Sequence, residues 1–119
     1  MNSVLVKKYT SGGVIAPYSF VKFGANRTVV QAAAATDMVI GITGQLGAAE
    51  AGVEVNITHI GIDDLKLAGN VNAGQHVMSN AAGLGVALVV AAGNYSGAIA
   101  LDSGVSGDII PVMVSITAR

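Results

Sequence analysis

The chain has 119 residues, of which 52% are hydrophobic, 4% aromatic and 11% charged, and its formal net charge is −1. Its six lysines and arginines are scattered and form no patch that could follow a phosphate backbone, so the sequence gives no reason to expect nucleic acid as a partner. Cysteine is absent, which excludes disulfides and cysteine-ligated zinc. The charged fraction is less than half the usual share of about a quarter, which predicts an apolar surface covered by other protein.

The N-terminal third predicts short β-strands separated by glycine. Strand-forming residues alternate with polar ones or cluster between turn residues. The predicted strands cover residues 3–9, 18–24, 27–33 and 38–44. Ala25-Asn26 joins the second strand to the third as a hairpin.

Two points in this part of the chain stay open. The run VVQAAAATDMV allows a short helix near residues 29–36 in place of the end of the third strand. Residues 1–12 are either an N-terminal arm or the first strand, and residues 13–119 form a single β domain. The segment NSVLVKKY is β-prone and is followed by the flexible TSGG, which suits both interpretations.

The rest of the chain also reads as strands. They are predicted at residues 52–62, 65–69, 75–80, 86–90, 95–101 and 109–116. Pro111 is expected at a sheet edge or bulge, because it cannot donate to a ladder. Leu67 to Leu101 carries no charge, but asparagine, glutamine and histidine interrupt it too often for a membrane-spanning helix. The prediction is an all-β fold, a small barrel or sandwich of about ten strands.

Residues that could support chemistry are few. His59 and His76 lie on different predicted strands and do not supply the three or four converging ligands of a metal site. His59 continues a buried face, which favours a contact with a neighbouring subunit, and His76 is a second candidate for such a contact. Asp63-Asp64 is interpreted as a solvated turn, and Ser96 lacks the glycine two positions before it that a nucleophile elbow needs. No enzyme activity, metal or cofactor is predicted.

A spaced pattern of glycine, alanine and valine resembles the phage capsid decoration (cement) proteins. The resemblance covers roughly residues 33–116, and Gln75 departs from it where the family tends to have an acidic residue. The matching positions are Asp37 with Val39-Ile40-Gly41-Ile42, Ala51-Gly52 with Val55, Gly61-Ile62, Ala73-Gly74 with Val77, Ser79 and Gly83, and Gly97 with Gly107-Asp108.

The resemblance implies a β-tulip-like virion protein on the outer surface of the capsid. Such proteins have no active site, form homotrimers and stabilise contacts between capsomers of the major capsid protein. An N-terminal arm often makes the capsid contact, sometimes by adding a strand to a capsid sheet. Carried over to this chain, the contact residues would be Val4, Leu5, Val6, Lys7, Lys8 and Tyr9.

Two other classes of protein remain open. A β-module of a phage fibre, spike or baseplate would have a similar composition but longer repeats. A small carbohydrate-binding β-domain would need exposed aromatic rings, and the chain has only five phenylalanines and tyrosines and no tryptophan.

Overall fold

The structure, a computed structural model, describes residues 3–34, 37–43, 47–88 and 95–118. Within them the chain is all-β, as predicted, and forms no helix of the length and apolar character that a membrane crossing requires. The strands are β1 (Ser3–Ser11), β2 (Phe20–Phe23), β3 (Thr28–Gln31), β4 (Val39–Ile42), β5 (Glu54–Lys66), β6 (His76–Ser79), β7 (Gly85–Ala87), β8 (Tyr95–Ala100) and β9 (Ile109–Ala118).

Five of these strands close into a small barrel. β1 pairs with β3 in parallel, and β3, β2, β4 and β5 follow as antiparallel neighbours. The barrel closes because β5 also pairs with β1, from Ser3 opposite Gly61 to Thr10 opposite Glu54. Residues 3–11, for which the sequence leaves an arm and a first strand open, therefore form part of the barrel wall in this structure.

The long strand β5 belongs to both parts of the molecule. Its first half pairs with β1 and its second half with β9, after which β8, β6 and β7 extend the sheet. Gly61 lies at the transition with φ of 122°, a conformation that favours glycine. The predicted break at Asp63-Asp64 is wrong, because both aspartates stay within the strand. Asp63 accepts a hydrogen bond from Thr58 Oγ1 at 2.7 Å.

Hydrophobic side chains collect in two cores on opposite sides of the barrel wall. Because side chains alternate along a strand, Val21 of β2 faces the barrel interior while Phe20 faces the outer core. The interior core contains Ile15, Val21, Val29, Ala48, Val55 and Ile57. The outer core lies between β2, β4 and the extending strands, and includes Phe20, Ile42, Leu65, Val77, Ala98, Ile110 and Val112. The shared wall joins the barrel and the extension into one unit.

The hairpin of β2 and β3 is confirmed, with a loop longer than predicted. Thr28 N donates to Ala25 O at 3.1 Å, and the residues between them, Asn26 and Arg27, have φ of 55° and 63°. Two successive positive φ angles are typical of a type I′ turn, in which Asn-Gly is the usual pair. An arginine in this left-handed conformation costs roughly 1 kcal/mol.

The alternative of a short helix near residues 29–36 is wrong for the described part of that range. Residues 28–31 form β3, which pairs with β1 and β2. The Gln31 side chain then accepts from Ala16 N at 2.8 Å, and Asp37 Oδ2 accepts from Ala33 N at 2.7 Å. The Gln31 and Asp37 side chains accept hydrogen bonds from backbone N–H groups, so these N–H groups are paired without a helical turn. Residues 35 and 36 lie outside the described residues.

Pro111 lies inside the sheet, so the expected edge position is wrong. It is opposite Asp64 of β5, and β8 is the other neighbour of its strand. β8 ends at Ala100, and Leu101 N donates to Pro111 O at 3.1 Å. Because the nitrogen and oxygen of one residue face the same neighbour, the proline nitrogen faces the end of β8, where the ladder requires no donor.

An ion pair links β2 to the segment before β4. Lys22 Nζ lies 3.0 Å from Asp37 Oδ2. Burial acts to raise the pKa of Asp37, but the hydrogen bond from Ala33 N together with the hydrogen bond and charge of Lys22 outweigh it. The pKa of Asp37 is therefore lower than its ordinary value.

Candidate interaction surfaces

A row of side chains crosses the outward side of the extending strands. Ile62 of β5 is opposite Met113 of β9, which is opposite Ile99 of β8, which is opposite His76 of β6. Val112, next to Met113, points the other way and is buried in the outer core. Residues directly opposite one another share a face of the sheet, so the row points away from the core.

Neighbouring apolar residues widen this row into a patch. Leu5 of β1 is opposite Ile60 of β5, and 51% of Ile60 and 41% of Met113 are exposed. We call this patch the apolar face, consisting of Leu5, Ile60, Ile62, Ile99, Leu101, Ile109, Pro111 and Met113. Within the described part of β5, the charged residues that border the apolar face are Asp64, opposite Pro111, and Lys66, opposite Ile109. A contiguous apolar patch of this kind predicts contact with another protein surface.

Three rings lie together at one end of the barrel core. Tyr9 of β1 packs edge-to-face against Phe23 at 5.8 Å and against His59 at 5.5 Å between ring centroids. The Tyr9 hydroxyl lies 2.9 Å from His59 Nε2, and His59 Nδ1 lies 2.9 Å from Ile40 O. Because a carbonyl can only accept, Nδ1 of the neutral ring carries the hydrogen and Nε2 accepts from the hydroxyl.

A cleft of about 640 Å³ opens beside these rings, between β1 and the β2–β3 turn. We call it the barrel cleft, lined by Lys7, Lys8, Tyr9, Thr10, Phe23, Gly24, Arg27 and Glu54. Lys7 Nζ lies 5.5 Å from the centroid of the Tyr9 ring, and Phe23 is 58% exposed. Three cations and one carboxylate line the cleft, and no described residue forms an ion pair with any of the cations. The cleft therefore combines positive charge with exposed aromatic surface.

The predicted capsid-contact residues do not share one surface: four of the six belong to the apolar face or the barrel cleft, and Val6, which is 46% exposed, belongs to neither. All of them belong to β1, including Val4. Leu5 joins the apolar face, whereas Lys7, Lys8 and Tyr9 line the barrel cleft. Their contact with a capsid stays a prediction.

The structure does not bring His59 and His76 together. His59 is held by Tyr9 and Ile40 at the barrel end. His76 ends the row of the apolar face, and its Nδ1 lies 2.8 Å from Ser96 Oγ. Ser96 is fully buried, so this serine–histidine contact ties β6 to β8 and is closed to a substrate. The described residues contain no group of three or more histidine, cysteine, aspartate or glutamate side chains that could hold a metal.

Sequence reasoning missed several residues of both surfaces. Phe23 and Arg27 reach the barrel cleft because of the hairpin turn, and Ile60 and Met113 reach the apolar face because of strand register. One signal was available for Arg27, since an Asn-Arg pair replaces the Asn-Gly that a tight hairpin favours. Ile60 and Met113 had no comparable signal, because their shared face depends on pairing across the sheet.

Comparisons with known proteins show a shared fold. No protein-family model matches the chain, and no curated protein matches its sequence. Among solved structures, the crystal structure of the N base of head fiber gp8.5 from bacteriophage phi29 is similar, with a TM-score of 0.72 over 93% of each chain. Sequence identity is 10%, so the similarity establishes a common fold. This chain thus has the fold of a phage head-fiber base.

Proposed function

We propose that this protein is a structural component of a phage virion, a decoration protein that binds the major capsid protein on the outer surface of the head. The observation that carries the proposal is the fold shared with a head-fiber base over 93% of both chains. The low charged fraction and the apolar face support it, because a virion protein covers such surface with neighbouring subunits. No catalytic residue or cofactor is part of the proposal.

The proposal includes self-association into a homotrimer through the apolar face. A cyclic assembly places the same patch of every copy in an equivalent contact and leaves none uncovered. Ile60 and Met113 are already about half buried within one chain, so covering the remainder stabilises by roughly 1 kcal/mol per side chain. A stable contact therefore needs most of the apolar face of each copy to offset the cost of association. His76 borders this face, whereas His59 is hydrogen-bonded to Tyr9 at the barrel end. A subunit contact at His59 and at His76 stays a prediction.

A second candidate is the base module of a head fiber. The specific observation in its favour is the name of the similar structure, which describes the base of a head fiber. Both candidates require attachment to a phage head, and they differ in what continues outward from the attached domain.

Native mass spectrometry tests the assembly. We expect the unmodified protein to be a trimer and the double variant Ile60→Lys, Met113→Lys to be a monomer with unchanged β-sheet circular dichroism, because 51% of Ile60 and 41% of Met113 are exposed within one chain and a lysine can extend into solvent from either position. The matched control is Val14→Lys, which changes a 70%-exposed valine in the loop between β1 and β2. A monomeric unmodified protein, in solution and on heads, would contradict the trimer.

Binding to heads tests the virion role. Purified protein is added to undecorated heads of the phage whose genome encodes it, and bound copies are located by electron microscopy. Density that is confined to the outer surface of the capsid supports a decoration protein. Density that continues outward as a fiber on native virions supports the fiber base. Absence of the protein from both reconstituted heads and native virions would refute the proposal.

A further inference from the structure

Among the described residues, no strand lies beside the edge of β1 that borders the barrel cleft. Pairing between β1 and β3 is confined to Thr10 with Thr28 and Ser11 with Val29. β3 begins at Thr28, and the preceding turn bends away, so among the described residues no strand continues along the earlier part of β1. The barrel seam is therefore open between this part of β1 and the β2–β3 turn.

Backbone hydrogen-bonding groups of β1 point into this opening. Ser11 N donates to Val53 O at 2.8 Å and Ser11 O accepts from Gly52 N at 2.9 Å, so the backbone of Ser11 faces the β5 side. Alternate residues of a strand face the same neighbour, and the register from Val6 to Thr10 has no irregularity. The N–H and C=O groups of Val6 and Lys8 therefore face the open edge.

The side chains around this edge favour one kind of ligand. Lys7, Lys8 and Arg27 supply three positive charges against the single carboxylate of Glu54. Phe23, which lines the same cleft, adds exposed apolar surface. Extended peptides bind open edges through backbone hydrogen bonds, and neighbouring side chains select their sequence.

We propose that the barrel cleft binds an extended acidic segment of a partner protein, which adds as a short strand to the open edge of β1 at Val6 and Lys8. Its carboxylates pair with Lys7, Lys8 and Arg27, and an apolar side chain of the segment rests on Phe23. Single-stranded nucleic acid also favours basic clefts with aromatic rings, but it does not use the row of backbone donors and acceptors. A second copy of β1 is disfavoured, because its own two lysines would meet these cations.

Lysines on a strand edge also protect against aggregation, which requires no ligand. That role does not account for a concave opening, an exposed phenylalanine or an arginine held at φ 63° on its rim. Residues kept in sparsely populated backbone conformations concentrate at functional sites. Protection against aggregation therefore does not explain why an arginine occupies this turn.

Peptide titration followed by amide NMR shifts tests the proposal directly and independently of any virion role. The probe is a nine-residue peptide in which glutamate alternates with valine, and it should shift the amides of Val6, Lys8 and Arg27 in a saturable way. The same peptide N-methylated at alternate residues should bind roughly tenfold more weakly, since it loses one or two backbone hydrogen bonds. A peptide in which lysine replaces glutamate should give no saturable change in the amide shifts.

Protein variants provide the second arm. Arg27→Gly removes a positive charge and places glycine, which suits the turn, at this position. We expect the affinity for the acidic peptide to fall by roughly three- to tenfold. The matched control Lys66→Gln removes one positive charge outside the barrel cleft and should change affinity by less than about twofold. The proposal is overturned if the acidic peptide does not saturate at millimolar concentration, if N-methylation has no effect, or if an oligothymidine binds the cleft more tightly than the acidic peptide.

Discussion

Gly97 on β8 is the position where one added methyl group should disturb the outer core most sharply. A Cβ placed there would meet the Phe20 ring, approaching Cζ to 2.9 Å and Cδ1 to 3.0 Å, with Cε1 closer still. Phe20 has no exposed surface and packs in the outer core behind the barrel wall. Gly97→Ala therefore forces either the ring or β8 to shift.

The expected cost follows from two opposing terms. Overpacking a dense core costs typically 1–3 kcal/mol. Replacing glycine by alanine recovers about 0.4–1 kcal/mol by restricting the unfolded chain. We expect Gly97→Ala to lower the free energy of unfolding by about 1–2 kcal/mol, and Tm by roughly 4–8 °C for a chain of this length.

Urea unfolding followed by circular dichroism measures this change. The matched control is Gly13→Ala, since a Cβ there meets nothing within 4 Å, and it should be neutral or slightly stabilising. Adding Phe20→Leu to Gly97→Ala should cost less than the sum of the two single changes, because the smaller side chain makes room. Strict additivity, or a Gly97→Ala variant as stable as the control, would refute the packing argument.

Three further changes have defined outcomes. Arg27→Gly removes the strain of an arginine in the left-handed conformation and should raise the free energy of unfolding, measured with urea, by about 0.5–1 kcal/mol. The same variant should bind the acidic peptide more weakly. Tyr9→Phe leaves His59 Nε2 without its donor and should cost about 1 kcal/mol in the same assay. Asp37 has a lowered pKa in the folded state, so its stabilising contribution is present above its unfolded pKa and is lost as the pH falls through the folded pKa. Lys22→Met should reduce that acid-dependent loss and cost at most about 1 kcal/mol at neutral pH, with unchanged acid dependence counting against the ion pair.

The local pattern of residues in the sequence was sufficient to predict most of the strands and the turns between them. Val55 and Ile57 alternate with polar residues, and the structure buries both inside the barrel. Gly74 and Gly107 lie between predicted strands, and in the structure each adopts a positive φ that residues with a side chain avoid. These features depend on residues close together in the chain, so composition and spacing reveal them.

Barrel closure, the length of β5 and the two interaction surfaces were decided by tertiary structure. β1 closes the barrel by pairing with β5 about fifty residues away, and the pairing of β5 with β9 turns the predicted break at Asp63 into continuous strand. A shift of one residue in either register would turn Ile60 or Met113 toward the core and remove the apolar face. The open edge beside Lys8 exists because β3 begins at Thr28, opposite Thr10. Register and strand neighbours are relations between distant segments, so no local pattern of residues contains them.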